Sequence, residues 1–242
     1  MNRILLSLAI VVFSVSVSHA ADEPAGIIDK AIKAAGGAEK LAKVKAEEWK
    51  AKGTFHGFGM KLPYEIKYIY ARSGSFRFDM DAGGMKITAA TDGKTAWEQA
   101  NGETRDMEKK KAEAFHHQVY SMGLSSLLPL KEKDFTLTGV DDIKVDGKEL
   151  VGVKASKKGH EDVTLYFDKK SSLLVMIKTK IWHEFTDKIV DQEVFFFDYK
   201  EKDGVPYFNK MTIKRAGELM IEEEFSDHKQ LDKVDATLFA KP

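Results

Sequence analysis

The chain has 242 residues, with 38 basic and 38 acidic side chains, 43% hydrophobic and 10% aromatic content, and no cysteine. Balanced charge leaves no basic excess for a nucleic-acid or polyanion binder, and the apolar content is ample for a globular core. Without cysteine there can be no disulfide, no thiol nucleophile and no lipid-modified cysteine.

Residues 1–20 read as a secretory signal: Asn2-Arg3 supplies a positive start, Ile4 to Val17 is apolar, and Ser18-His19-Ala20 ends small-x-small. The expectation is cleavage after Ala20, a mature chain in the periplasm with no transmembrane segment, and one domain over residues 21–242. Glu23-Pro24-Ala25-Gly26 opens a helix carrying Ile27, Ile28, Ala31, Ile32 and Ala35 at helical spacing. Gly36-Gly37 stops it, and Ala38 to Val44 makes a second short helical stretch.

From Trp49 the period changes to two. Trp49, Ala51, Gly53 and Phe55 share a face, followed by Leu62, Tyr64, Ile66, Tyr68 and Tyr70, then by Phe76, Phe78 and Met80. Met85, Ile87 and Ala89 continue the series, and Thr95 and Trp97 are read onto the same apolar face, with Glu98 opposite and solvated. Asp92-Gly93 and Asn101-Gly102 are the turns bounding that last strand. Met107 to Leu130 is helical, with Ala112, Phe115, Val119 and Met122 at three- and four-residue steps, and breaks at Gly123. Strands then resume at Phe135, Val151, Val163, Leu173, Val194, Tyr207 and Leu219. Val194 and Phe196 face one way, and Phe195, Phe197 and Tyr199 the other.

The reading is mainly β with helices (α+β): a strongly curved, unclosed antiparallel sheet of about ten to eleven strands, with an N-terminal helix and mid-chain helices over its concave face. No motif carries catalysis. His116-His117 lie about 100° apart on a helix and cannot share an ion, and the other histidines lack metal-ligand spacing, so no metal and no cofactor are expected. No serine sits in a nucleophile elbow. Glu222 and Glu224 go to the polar face of their strand, and a facing carboxylate pair for hydrolysis is neither visible nor excluded. What stands out is the aromatic and methionine load of one face, which suits a pocket for acyl chains.

In order and spacing the chain resembles the periplasmic lipoprotein-carrier superfamily, the LolA/LolB-like outer-membrane lipoprotein-sorting proteins. The features are AIKAAGGAEKLAKVKA in the opening helices, the strand–turn TDGKTAW, the mid-chain helical stretch and the hairpin LYFDKKSSLLVMIK. To these are added DQEVFFFDYKEKDGVPYFNKMTIKR and the terminal DATLFAKP. The resemblance implies a half-barrel with Met107 to Leu130 as its lid, and an arginine latching that lid, for which Arg72 and Arg77 are the candidates. It implies a non-catalytic, monomeric carrier of lipid or lipoprotein acyl chains, served by an envelope protein donor or acceptor and binding no nucleic acid. The expected wall is Trp49, Phe55, Tyr68, Phe76, Phe78, Met80 and Trp97, with Phe115, Val119 and Met122 from the lid. The alternative is an envelope sensing or protein-interaction module whose cavity is filled.

Overall fold

The computed structural model describes residues 23–57 and 59–242; the expected signal segment lies outside them. Helix α1 (Pro24–Ala34) starts on a proline in its first turn and buries Ile27, Ile28, Ala31 and Ile32. Gly36 and Gly37, at φ 103° and 93°, end it as the spacing predicts. Gly36 also sits close to its neighbour, since a Cβ would lie 3.1 Å from the Gly204 carbonyl and force a small shift. Helix α2 (Ala38–Lys43) follows at once.

Apart from the mid-chain helical segment and a short C-terminal turn, the rest of the described chain builds one antiparallel sheet of thirteen strands. They are β1 (Ala46–Gly57), β2 (Met60–Ala71), β3 (Phe76–Ala82), β4 (Met85–Thr91), β5 (Ala96–Ala100) and β6 (Glu103–Asp106). After the mid-chain helices come β7 (Phe135–Val145), β8 (Lys148–Lys157), β9 (Val163–Asp168), β10 (Leu174–His183), β11 (Lys188–Lys202), β12 (Val205–Arg215) and β13 (Glu218–Leu231). The spatial order is β6-β5-β4-β3-β2-β1-β13-β12-β11-β10-β9-β8-β7. The sheet is two meanders joined where β1 pairs with β13, Ala46 opposite Leu231 and Phe55 opposite Ile221. Its edges, β6 and β7, are not paired with each other, so the barrel is open. The count exceeds the expected ten to eleven. One added strand is β6, a four-residue piece beyond Asn101-Gly102 that carries no apolar alternation to announce it.

The mid-chain segment bridges the opening. Helix α3 (Lys109–Gly123) lies between the two limbs, touching β5 on one side and β10 on the other. It ends at Gly123, where a Cβ would stand 2.2 Å from the Tyr70 hydroxyl, so only glycine lets the helix end approach β2. Leu127, at φ 65°, separates two single 3-10 turns, Leu124–Ser126 and Leu128–Lys131. Leu124, Leu127 and Leu130 from these turns join α1 and the inner faces of β8 to β10 in the main core, around Val153, Leu165 and Phe167.

Alternation also breaks inside the second limb. Asp198 takes φ 50° and accepts a hydrogen bond from Asn209 Nδ2 at 3.2 Å. Beyond that kink Tyr199 and its partner Phe208 lie on the concave side with Val194, Phe196 and Met211. The expectation that Tyr199 shares a face with Phe195 and Phe197 is corrected accordingly. One left-handed residue is enough to reset which side chains face inward.

Candidate functional site

The concave face encloses a cavity of about 670 Å³, within the range of small-molecule sites. Its first wall is the meander whose alternation the sequence displays: Trp49, Phe55, Tyr68, Phe76, Phe78 and Met80 all line it. From the lid come Phe115, Val119 and Met122. The Phe115 ring sits 5.9 Å from Phe76 and 6.4 Å from Phe78, an aromatic contact that closes helix against sheet. The second wall, absent from the expected one, comes from β10 to β13 and includes Ile177, Phe196, Phe208, Met211 and Phe225. The period-two signal that located those strands could have found it.

Trp97 is not part of this wall. It is buried on the outer face, 3% exposed, where its Nε1 donates to the Phe239 carbonyl at 2.9 Å and the Arg77 guanidinium stacks 5.8 Å from its ring. The reason is register. The turn Asp92–Thr95 has four residues, so Thr91 pairs with Ala96, Ala90 with Trp97 and Ala89 with Glu98. Directly opposed residues share a face. Carrying the odd-numbered series of β4 across an even turn therefore points to the wrong side. Glu98, expected to be solvated, faces the cavity with Ala89. Arg77 likewise faces outward, holding Asp79 and the Leu238 carbonyl (Nη1 to O, 3.1 Å); it fastens the C-terminal segment, not the lid. Arg72 lines the cavity, and its Nε is buried without a hydrogen-bond partner.

The lid is tied to both limbs by adjacent histidines. His116 Nε2 hydrogen-bonds the Thr91 hydroxyl on β4, and His117 Nε2 the Thr179 hydroxyl on β10, each at 2.8 Å. Their angular separation, which bars them from one ion, lets them reach opposite walls. Burial holds the His117 imidazole below its ordinary value, so it sits there neutral. Among the described residues no cluster of three His, Asp or Glu side chains could hold a metal.

Polar groups in the cavity are few and mostly paired. His228 stacks on Trp49, ring centroids 5.6 Å apart, and hydrogen-bonds Glu47 at 3.1 Å. At the other end Glu98 bridges Arg105 (2.8 Å) and Lys111 (2.7 Å), and Lys111 also reaches Glu184 (3.3 Å). Burial would raise the Glu98 carboxyl, but these two cations outweigh it and keep it below the usual carboxylate range. Arg215, half-buried beside Ile213, has its Nε held by Gln192 Oε1 at 2.9 Å.

The most unusual group is Glu223, 4% exposed at the centre of β13 between Gly53 and Met211. Its Oε1 accepts from Tyr64 (2.6 Å) and Tyr68 (2.5 Å), while Oε2 is buried with no partner. The Tyr64 ring reaches it because Gly53 has no side chain; a Cβ there would meet the ring at 2.4 Å. Burial pushes the Glu223 carboxyl up, and the two phenols offset this only in part. Glu222 and Glu224 are exposed, as alternation predicts, and the same alternation sends Glu223 inward between them.

Among these carboxylates no acid with a raised pKa faces a free carboxylate. Glu98 and Glu184 are bridged by a lysine, and the acid with a raised pKa, Glu223, faces phenols.

At one end of the cavity the hairpin tips carry exposed apolar side chains: Met60 and Leu62 after β1, Met85 after β3, Phe185 and Ile189 around the β10–β11 turn. Antiparallel order puts these turns on the same edge of the sheet, and Leu62, Met85 and Phe185 also line the cavity, so it opens there.

No protein-family profile matches the chain, and no curated protein resembles it in sequence. Solved structures do share its fold. A DUF1329 family protein from Desulfovibrio piger superposes with a TM-score of 0.58 at 14% identity, over 91% of this chain and 98% of that one. A LolA superfamily protein from Nitrosomonas europaea gives 0.59 at 8% identity, over 91% and 99%. A putative outer membrane lipoprotein-sorting protein domain from Vibrio parahaemolyticus gives 0.53 at 10% identity, over 88% and 97%. The fold is LolA-like.

Proposed function

We propose that the protein is a non-catalytic periplasmic carrier that binds acyl chains of lipids or lipoproteins in its concave cavity, with an envelope protein as donor or acceptor. The observation that carries this reading is the cavity itself: unfilled, walled by aromatic and methionine side chains from both limbs, covered by a helix and open at an apolar rim. Burying a dozen methylenes contributes roughly 10 kcal/mol, which offsets much or all of the cost of association, and each further methylene adds about 0.8 kcal/mol, so a long chain is held by burial. Among the described residues no helix is long and apolar enough to cross a membrane. The LolA-like fold of a lipoprotein-sorting domain adds support at the level of architecture, and fold alone does not assign cargo. An interaction module would have its cavity filled by its own side chains, and the free volume favours the carrier.

Displacement of a fluorescent, uncharged long-chain dye is the direct test. Long-chain amphiphiles should displace it, and Phe78→Glu or Met80→Glu, which put a charge in the apolar wall, should weaken dye binding at least about tenfold while the fold persists. Undiminished dye binding in both charged variants contradicts the assignment.

A further inference from the structure

Two arginines line the cavity, and they differ in what surrounds them. At the open end the carboxylates are already spent: Arg105, Glu98, Lys111 and Glu184 form a continuous chain of two cations and two anions, neutral as a unit. Arg215 stands outside that chain. Its Nε is bound by the neutral amide of Gln192, itself 1% exposed and therefore fixed, and the guanidinium makes no ion pair within 4 Å among the described residues. Glu184 acts on it only through space and is already bound to Lys111. At the far end Arg72 likewise feels Glu47 through space, whereas its Nε is buried without a hydrogen-bond partner.

A half-buried guanidinium with its Nε oriented by the protein presents its two terminal nitrogens as a fork, the geometry that takes a carboxylate or phosphate in bidentate fashion. A half-buried cation with no hydrogen-bonded anion is costly at the margin of a cavity unless one joins it. Arg215 and Gln192 are cross-strand partners on β12 and β11, held by the sheet rather than by a loop. The β12 strand also supplies Met211 and Ile213 to the cavity wall, so an acyl chain lying along β12 would leave its head group beside Arg215.

From this geometry we infer that the ligand is an anionic amphiphile, an acyl chain ending in an oxyanion, and that Arg215, oriented by Gln192, is its head-group site. The inference rests on the acyl-chain reading above and adds the charge of the cargo.

The experiment compares hexadecanoate, hexadecyl phosphate and methyl hexadecanoate, all below their micelle concentrations, as displacers of the uncharged dye from the full chain and from Arg215→Met. The wild type should bind at least one oxyanion about ten- to a hundredfold more tightly than the ester, as a charge-assisted hydrogen-bonded pair provides. Arg215→Met should lose that preference and keep its affinity for the ester, which also reports an intact cavity. The tighter of the two oxyanions identifies carboxylate or phosphate as the head group. If Arg215→Met binds nothing, Arg215→Lys decides: ester binding retained with a reduced oxyanion preference supports the site, and an undiminished preference overturns it. Equal binding of ester and oxyanions by the wild type overturns the inference and leaves the carrier reading standing. Transfer of the preference to Arg72→Met moves the site and overturns the assignment. Failure of all three amphiphiles removes the acyl-chain reading, and this inference with it.

Discussion

Trp97 and Glu223 mark the limits of reading single positions. Trp97 is a structural residue of the outer face: with Arg77 it clasps the consecutive carbonyls of Phe239 and Leu238 and so seats the C-terminal turn Ala236–Phe239 against the sheet. Trp97→Ala should cost about 3–5 kcal/mol in urea unfolding and leave dye affinity unchanged. Lost binding at full stability would return Trp97 to the cavity. Glu223 makes the opposite contribution. Its folded-state pKa is raised above the ordinary 4.5, so the folded chain retains a proton that the unfolded chain has released. Stability then falls as pH climbs from about 4.5 toward the folded value, and the penalty persists above it. Gln at this position still accepts from Tyr64 and Tyr68 and has no charge to desolvate. Glu223→Gln should therefore be more stable than wild type at neutral pH, with a flatter pH dependence. Parallel stability curves from pH 4 to 8 would mean that Glu223 titrates normally.

At the level of elements, α3 is fastened by side chains more than by burial. Only Val119, Ser121 and Gly123 of its residues are buried, whereas the two limbs hold it through Thr91 and Thr179 and the Lys111 bridge. Such an element opens before the sheet does. Each hydroxyl–imidazole bond contributes about 1 kcal/mol, so replacing both threonines with valine should raise the open population of α3 roughly thirtyfold. Hydrogen exchange of residues 109–123 should accelerate while the protection of β1 and β13 is unchanged. Unaltered exchange of α3 would mean that the histidine contacts do not hold the lid.

Across the whole molecule, most of the architecture was legible because binary alternation and turn residues fix strands one by one, and helical periodicity fixes α1 and α3. Gly36-Gly37 and Gly123 mark their breaks at the positions the structure confirms. What stayed hidden depends on register. The side chosen by Trp97 follows from the length of one turn, and the inward position of Tyr199 follows from a left-handed Asp198. The pairing of β1 with β13, which makes one curved sheet from two meanders, joins residues far apart in sequence and leaves no local trace. The polar groups of the site were hidden for the same reason. Arg215 and Gln192 meet across strands, and Glu223 meets two tyrosines of β2 only once β13 is placed.

Native mass spectrometry of the protein purified under mild conditions from its host tests most directly whether the cavity holds acyl chains. Adducts of lipid mass should be present, be removed by organic extraction and be diminished in the Met80→Glu variant. A spectrum of bare protein from the host, together with no uptake of any long-chain amphiphile offered afterwards, would contradict acyl-chain binding.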